Sequence, residues 1–162
     1  MARIAIRNAT ARDAGRLVAD GMAGTAMPPG ETWAHRYGMW LHEMQLGHRL
    51  VMVAESDRRL IGLGQLIFSF AKGYEDVEAA NGTDTAMIEM IRTRPDAPAA
   101  LATQMLHEFE GFARRRRVRT LTFLVPMENN HALNQVKSWG FEEFRIMPEG
   151  ARLLAFFRKQ LA

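Results

Sequence analysis

The stretch between Ala86 and Val125 carries a strand, a helix and a second strand in succession, and this order limits the folds open to the chain. Residues 86–93 (AMIEMIRT) are apolar and favour a strand, and residues 120–125 (TLTFLV) are typical of a buried strand. A helix between them is indicated by apolar side chains that recur on one face, and we expect it to end near Arg117: Leu101, Met105, Phe109 and Phe112. The segment therefore predicts a right-handed βαβ unit with two parallel strands.

Further strands are predicted on either side of this unit, most of them antiparallel. The predicted strands are residues 3–7, 49–55, 60–70, 141–146 and 152–159. Residues 56–59 (SDRR) predict a hairpin turn, and residues 148–150 predict a second turn. Gly62 and Gly64 lie on a predicted strand, which indicates a bulge or a close approach of another group to the backbone. A mixed, mostly antiparallel sheet is expected.

Three further helices are predicted from caps and periodicity. Thr10 is expected to cap the first helix, with Asp13 three residues later as an incomplete capping box. A second helix carries large apolar side chains at steps of three or four residues: Trp33, Tyr37, Trp40, Leu41 and Met44. A short helix after the βαβ unit ends at Gly140, with Phe141 as the hydrophobic contact that follows.

Composition narrows the class of protein. A length of 162 residues suits a single domain that spans residues 1–162. The net charge of +3 is compatible with an anionic cofactor and gives little support to nucleic-acid binding. The absence of cysteine excludes disulfides, thiolate metal sites and cysteine nucleophiles, and the five histidines lack metal-ligand spacing. Because the chain shows neither the apolar region of a signal peptide nor a membrane-length apolar run, we expect a cytoplasmic protein without a membrane partner.

Residues 126–141 (PMENNHALNQVKSWGF) resemble the acyl-CoA-binding segment of the GNAT superfamily of N-acetyltransferases. In that family an asparagine follows the strand, an Ala-Leu pair lies on the helix and a Gly-Phe pair ends it; the matching residues are Asn129, Ala132, Leu133, Gly140 and Phe141. The order of predicted elements fits the GNAT fold over nearly the whole chain. The resemblance implies an α/β fold with a central mixed, mostly antiparallel twisted sheet and helices on both faces. It also implies an acetyl-CoA-dependent N-acetyltransferase.

The resemblance implies which residues bind acetyl-CoA. The pantetheine arm would pair with the backbone of Ile91, Arg92 and Thr93, and Asn129 and Ala132 would lie against the cofactor. The pyrophosphate would lie over the start of the crossover helix, whose backbone N–H groups favour an anion. The residues expected there are Ala99, Ala100, Leu101 and Ala102. No metal is expected.

Glu89 is the candidate base for the attacking amine. It lies within an apolar strand, where an acid is costly unless its other surroundings are wet or paired. In GNAT enzymes a carboxylate on the corresponding strand often serves as base, directly or through water. Burial would raise the pKa of Glu89 toward the useful range. The alternative is that Glu89 points to solvent from the other face of the sheet.

Two parts of the chain depart from the GNAT pattern. The phosphate loop of the family reads Arg or Gln, two residues, Gly, one residue, then Gly or Ala, whereas residues 97–102 here read APAALA. Pro98 removes one N–H group, and Asp96 is expected to cap the helix itself and so repel a phosphate. Val136 stands where many members have a tyrosine that protonates the departing thiolate. Tyr74 or Tyr37 would have to replace that acid.

Partners follow partly from the resemblance and partly from charge. The acceptor would be an amine on a small molecule or a peptide, and the acidic loop at residues 71–85 either suits a cationic amine or is a solvated excursion. The aromatic residues of the second helix either line the acceptor site or pack the core. Residues 114–117 are four arginines that point around most of a helix, which favours a solvated helix end over nucleic acid. The resemblance also allows a homodimer, because family members often dimerise.

The departures leave a second interpretation open. A GNAT-fold protein that no longer catalyses would bind a ligand or a partner chain instead. The two interpretations differ in whether the amides of residues 99–102 are accessible or already capped.

Overall fold

The computed structural model describes residues 3–24, 29–70 and 76–162, so Tyr74 lies outside the described residues. The elements are β1 (Ala5–Asn8), α1 (Asp13–Ala19), α2 (Trp33–Gln45), β2 (Arg49–Ser56), β3 (Arg59–Ile67), β4 (Thr85–Thr93), α3 (Leu101–Arg115), β5 (Thr120–Pro126), α4 (Asn130–Ser138), β6 (Glu142–Glu149) and β7 (Arg152–Gln160). Within these ranges the strands form a seven-stranded sheet in the order β1-β2-β3-β4-β5-β7-β6. Strands β4 and β5 are parallel, as the βαβ unit requires. Strand β1 pairs antiparallel with β2, and β7 with β5 and β6. The predicted α/β class with a mixed, mostly antiparallel sheet is confirmed.

The chain divides into two compact units. The first comprises Met1–Leu66 and Met90–Glu108, and the second comprises Ile67–Glu89 and Phe109–Ala162. Strand β4 and helix α3 each contribute residues to both units. A single domain over residues 1–162 stays a prediction.

In the first unit, α1 and α2 cover one face of the sheet. The buried cluster there includes Leu17, Tyr37, Val51, Val53 and Leu63, and the partly buried side chains that pack against it include Trp33, Trp40, Leu41 and Met44. The Tyr37 hydroxyl donates to the Thr10 carbonyl at 2.6 Å. Trp33 Nε1 donates to the Ala14 carbonyl at 2.9 Å. The large side chains of α2 therefore serve core packing, which is the second of the two roles considered for them.

Helix α3 covers the opposite face of the same unit. Leu101 and Met105 pack against Ala54 and Ile61. Since Val53 belongs to the cluster under α2 and Ala54 to the cluster under α3, successive residues of β2 face opposite sides of the sheet. Helices thus lie on both faces of this unit, as expected.

The predicted hairpin turn joins β2 to β3. Its central residues Asp57 and Arg58 have φ values of 51° and 64°. Positive φ at both central residues is the mark of a type I′ turn, whose twist matches that of the flanking strands. The prediction for residues 56–59 is confirmed.

In the second unit, β5, β7 and β6 form an antiparallel ladder. Phe156 and Met87 belong to its buried cluster, and Leu124 and Phe144 pack against that cluster. The C-terminus of α4 is a Schellman motif, because the Gly140 amide donates to the Lys137 carbonyl at 3.0 Å and the Phe141 amide donates to Val136 at 3.2 Å. Gly140 has φ of 90°, as its predicted position after the helix requires.

Several predicted element ends are wrong. Strand β6 runs through Pro148 to Glu149, so the turn falls at residues 150–151. Strand β6 lies at the edge of the sheet, where a proline is tolerated because no further strand requires its missing N–H group. Thr10 does not cap α1, which begins at Asp13; instead the Asp13 carboxylate accepts from the Thr10 amide at 2.8 Å.

Candidate active site

A cavity of about 420 Å³ lies in the second unit, beside β4, β5 and β7. Its apolar lining comes from three neighbouring strands and the segment before β4: Phe70, Ala79, Met87, Leu124, Pro126 and Leu154. The register explains this lining. Ile88 pairs with Phe123 across the parallel strands, and Leu124 and Pro126 pair with Phe156 and Leu154 on β7. The cavity therefore follows the direction of the strands from the middle of β4 toward the β6–β7 turn.

Glu89 lines this cavity. It follows Ile88, the last residue of β4 that pairs with β5, and its side chain is exposed. The expected burial is wrong, because the ladder between β4 and β5 stops one residue before Glu89 and leaves it at the cavity wall. The alternative expectation of solvent exposure is correct, yet the exposed carboxylate lies where a small molecule can reach it. The catalytic role of Glu89 stays a prediction.

Asp76, which lines the cavity, belongs to the acidic loop at residues 71–85, for which a cationic amine was one of the two expectations. Sequence reasoning missed the other two charged residues of the cavity, Glu149 and Arg152. Arg152 lies 3.3 Å from Glu128 and is half exposed. Glu149 and Arg152 flank the β6–β7 turn and pair across it. Their place at a predicted turn was the only available signal, and a turn position does not by itself indicate a site. The lining thus carries three acidic groups and one basic group among the described residues.

Arg145 on β6 holds the segment that bounds the cavity before β4. Its Nη1 donates to Glu78 Oε1 at 3.1 Å, and its Nη2 donates to Asp76 Oδ2 at 3.3 Å. The guanidinium lies 4.9 Å from the centre of the Phe156 ring. Thr122 Oγ1 donates to the Ala79 carbonyl at 2.8 Å in the buried interior. These contacts attach residues 76–79 to the sheet of the second unit.

The predicted phosphate segment lies in the first unit, and Asp96 does not cap α3. The helix begins at Leu101, after a turn in which the Leu101 amide donates to the Pro98 carbonyl at 3.0 Å. The Asp96 carboxylate instead accepts from Arg94 Nε at 2.9 Å and lies 3.7 Å from Arg59. The hydrogen bond from Arg94 lowers the pKa of Asp96. Asp96 precedes the helix by too many residues to reach its first amides.

Three of the amides at the start of α3 are not capped. In the part of the chain that the structure describes, the N–H groups of Ala99, Ala100 and Ala102 have no hydrogen-bond acceptor. Ala99 and Ala100 are exposed, whereas Leu101 and Ala102 are buried. Unpaired amides at a helix N-terminus carry a partial positive charge. Of the two states considered for these amides, already capped or not, the structure shows the second for Ala99, Ala100 and Ala102.

The end of β4 supplies the other predicted cofactor contacts of the first unit. Ile91, Arg92 and Thr93 are half-buried. Ile91 packs against the cluster of Leu101, which brings the two predicted segments together. Arg92 Nη1 donates to the Met22 carbonyl at 3.0 Å, so part of its side chain has a structural role.

Asn129 and Ala132 meet at the start of α4 in the second unit. Asn129 is the N-cap, and its side-chain oxygen accepts from the Ala132 amide at 3.1 Å. The cap explains why asparagine precedes this helix. Contact of either residue with a cofactor stays a prediction.

Among the described residues, two hydroxyls that could replace the missing tyrosine at position 136 already donate hydrogen bonds, those of Tyr37 and Ser138. Val136 is buried. Tyr37 is buried in the first unit with its hydroxyl bound to Thr10, and burial raises the pKa of Tyr37. The Ser138 hydroxyl donates to the Gln135 carbonyl of its own helix at 2.6 Å. His131 is exposed on α4.

Three of the four arginines at residues 114–117 have local contacts. Arg114 Nε donates to the Ala162 carbonyl at 3.3 Å, and Arg115 and Arg116 lie 5.3 Å and 3.7 Å from the ring centres of Phe112 and Phe68. Helix α3 ends at Arg115 rather than near Arg117, which has φ of 63°. Because the arginine side chains contact different partners around the end of α3, they fit the predicted helix end better than a single basic face for nucleic acid.

Within residues 3–24, 29–70 and 76–162, no group of three or more His, Cys, Asp or Glu side chains could hold a metal ion. Within the same ranges, each helix is too short or too polar to cross a bilayer.

The chain is similar in fold to several solved structures that are described as acetyltransferases. An N-acetyltransferase from Staphylococcus aureus Mu50 superposes with a TM-score of 0.75 at 17% identity, over 99% of each chain. A spermidine N-acetyltransferase from Vibrio cholerae in complex with CoA and spermine superposes with a TM-score of 0.74 at 15% identity, over 98% of this chain and 95% of the other. The chain has the GNAT fold. A third structure, described as yncA, a putative acetyltransferase from Salmonella typhimurium with its cofactor acetyl-CoA, superposes with a TM-score of 0.72 at 17% identity, over 98% of this chain and 94% of the other. No protein-family model matches the chain, and no curated protein matches its sequence.

Proposed function

We propose that the protein is an acetyltransferase that transfers the acetyl group of acetyl-CoA to a primary amine by direct attack. The observation that carries this proposal is the position of Glu89, an accessible carboxylate at the wall of a cavity in a GNAT fold. A carboxylate there can take the proton of an ammonium group and so produce the nucleophilic amine. The acceptor would be a small molecule or a peptide whose amine enters the cavity.

The start of α3 supports acetyl-CoA as the donor. The unpaired amides of Ala99, Ala100 and Ala102 suit a pyrophosphate, since N–H groups and the helix dipole both favour an anion. Ile91, Arg92 and Thr93 would offer backbone groups to the pantetheine arm, and Asn129 and Ala132 would lie against the cofactor. Bound acetyl-CoA supplies an activated thioester.

In the proposed reaction, each proton and the leaving group have a defined destination. Glu89 takes one proton from the ammonium group, and the resulting amine nitrogen forms a bond to the acetyl carbon. The carbon–sulfur bond then breaks, and the acylated nitrogen releases its second proton to solvent. The N–H group near Ile91 would polarise the acetyl carbonyl. The departing thiolate takes a proton from Tyr74 or from solvent. Because a thiolate is a tolerable leaving group, Val136 slows this step without preventing it.

The alternative interpretation, a binding module without catalysis, relied in part on Asp96. It assumed that Asp96 caps α3 and repels phosphate, whereas Asp96 pairs with Arg94 and Arg59. Val136 remains as a departure from the GNAT pattern and bears on rate rather than on binding. No second function is proposed.

The test is Glu89→Gln, assayed for acetyl transfer to a panel of primary amines. We expect a loss in kcat of about 10²–10⁴, since a positioned base contributes that much, with little change in the affinity for acetyl-CoA. Glu108→Gln is the matched control, because Glu108 is exposed on α3 away from the cavity lining. Equal rates for both variants, or no transfer to any amine by the wild type, would refute the proposal.

A further inference from the structure

We infer that Asp76 binds the ammonium group of the acceptor before a proton passes to Glu89, and that Arg145 positions Asp76 for this role. These roles rest on the proposed function, because they take the cavity at Glu89 as the acceptor site. They add a binding residue and a positioning residue, and they select acceptors that arrive with a positive charge. All three side chains belong to the second unit.

Asp76 and Glu89 line the same part of the cavity. Ala79, three residues after Asp76, accepts a hydrogen bond from Thr122 Oγ1, and Thr122 pairs with Met87 across the parallel strands. Met87 lies two residues before Glu89 on β4, and both side chains line the cavity, as residues on one face of a strand do. The register therefore places the segment that carries Asp76 beside Glu89.

Arg145 lies level with Glu89 in the sheet. Arg145 pairs with Phe156 on β7, and Phe156 pairs with Leu124 on β5, which is level with Glu89. The Arg145 guanidinium lies 4.9 Å from the centre of the Phe156 ring, and Leu124 packs against the cluster of that ring. The guanidinium is therefore on the face that the cavity occupies. Since three strand spacings, about 14 Å, separate the two backbones, Arg145 acts on the site through Asp76.

Both oxygens of the Asp76 carboxylate are held in place. Oδ2 accepts from Arg145 Nη2 at 3.3 Å, and Oδ1 accepts from the Glu78 amide at 3.2 Å. Each carboxylate oxygen has a second lone pair, so a further donor can still bind. The Asp76 side chain keeps 22% of its surface exposed. Asp76 is therefore oriented by the protein and remains accessible to a ligand.

The charge around Asp76 favours a cation. Arg145 also pairs with Glu78 at 3.1 Å, so two carboxylates share one guanidinium and one negative charge remains on this group of three. Glu89 adds a carboxylate to the same part of the cavity, and the apolar side chain of Met87 lies beside it. Because apolar walls limit the water that screens charge, an ammonium group is favoured there over a neutral amine.

The test of Asp76 uses benzylamine, which is protonated at neutral pH, and benzyl alcohol, its neutral counterpart, as a competitive inhibitor. Asp76→Asn should raise KM for benzylamine by about 10-fold, as the loss of one charged contact allows, with little change in kcat. The inhibition constant of benzyl alcohol should stay the same. Glu78→Gln is the matched control, because Glu78 contacts the same guanidinium, whereas the described lining includes Asp76 and not Glu78.

The test of Arg145 is a double-mutant cycle. Arg145→Gln should raise KM for benzylamine by about 10-fold in the wild type, but by less than about 2-fold in Asp76→Asn, because both changes remove one interaction. Arg145→Lys, which keeps the charge, should restore part of the affinity and replaces Arg145→Gln if that variant does not fold. Additive effects of the two substitutions would show that Arg145 does not act through Asp76.

Calorimetric binding of benzylamine without acetyl-CoA separates these roles from the proposed function. Weaker binding to Asp76→Asn than to Glu78→Gln, without any acetyl transfer, would support the binding role of Asp76 and refute the acetyltransferase. Acetyl transfer that requires Glu89 but shows the same KM for wild type and Asp76→Asn would overturn the inference and leave the proposed function. Equal effects of the Asp76 and Glu78 substitutions, or no benzylamine binding by the wild type, would also overturn it.

Discussion

Asp13 shows how one buried charge is satisfied in this protein. Its side chain is fully buried and accepts from Arg7 at 2.8 Å and 2.9 Å, and also from the Thr10 amide at 2.8 Å. Burial alone would raise the pKa of Asp13, but the hydrogen bonds from Arg7 and Thr10 outweigh it and lower the pKa. The carboxylate is therefore held ionised by the surrounding donors.

Asp13→Asn should lower the free energy of unfolding by about 2–4 kcal/mol at pH 7, because it weakens charged hydrogen bonds in a buried site. Arg7 keeps Glu55 as a partner at 3.2 Å, which limits the loss. The folded pKa of Asp13 lies below the ordinary value of 3.8, so its contribution is present above that pH and lost as pH falls through the folded pKa. Urea unfolding at several pH values should show the difference between wild type and variant shrinking only below about pH 4. A difference that grew on acidification would contradict this account.

At the scale of elements, the contact of α3 with β3 depends on Gly62. A Cβ atom at this position would lie 2.9 Å from Met105 Sδ and 3.0 Å from the Ala54 Cβ. The glycine therefore lets the helix approach the strand closely. The expectation of a close approach is confirmed at Gly62.

Gly62→Ala should lower the free energy of unfolding by about 1–3 kcal/mol, as overpacking of a close contact usually does. Gly38→Ala is the matched control, because Gly38 is exposed in the middle of α2 with nothing within 4 Å of an added Cβ. That control should gain about 0.5–1 kcal/mol from helix propensity. Chemical denaturation of both variants measures the contrast, and a stabilised Gly62→Ala would show that α3 moves freely.

At the scale of the whole molecule, bound acetyl-CoA should stabilise the fold by linkage. A ligand at 100 times its Kd adds about 2.7 kcal/mol. For a chain of 162 residues this corresponds to a rise in Tm of about 5–10 °C. S-acetylpantetheine, which lacks the pyrophosphate, should give a smaller shift if the amides of α3 bind phosphate. Equal shifts for both compounds would place the phosphates elsewhere, and no shift at millimolar acetyl-CoA would refute it as donor.

The local features of this fold were predictable from sequence because their causes lie within a few residues. The periodicity of Leu101 and Met105, the turn at Asp57 and the Schellman motif at Gly140 each depend on neighbours along the chain. The βαβ unit follows from such local signals, and its predicted strands differ from β4 and β5 by a residue at an end. The fold class then follows from the order of elements.

The cavity was decided by tertiary structure, because its residues come from segments that only the sheet brings together. Glu89 appears buried in an apolar run, yet its exposure depends on where the ladder between β4 and β5 stops. Arg145 reaches Asp76 and Glu78 from a distant strand. The local sequence predicted Asp96 as an N-cap, but in the folded chain its carboxylate forms ion pairs with Arg94 and Arg59. Sequence periodicity determines which elements form, whereas the charge that each side chain meets is set by packing between elements.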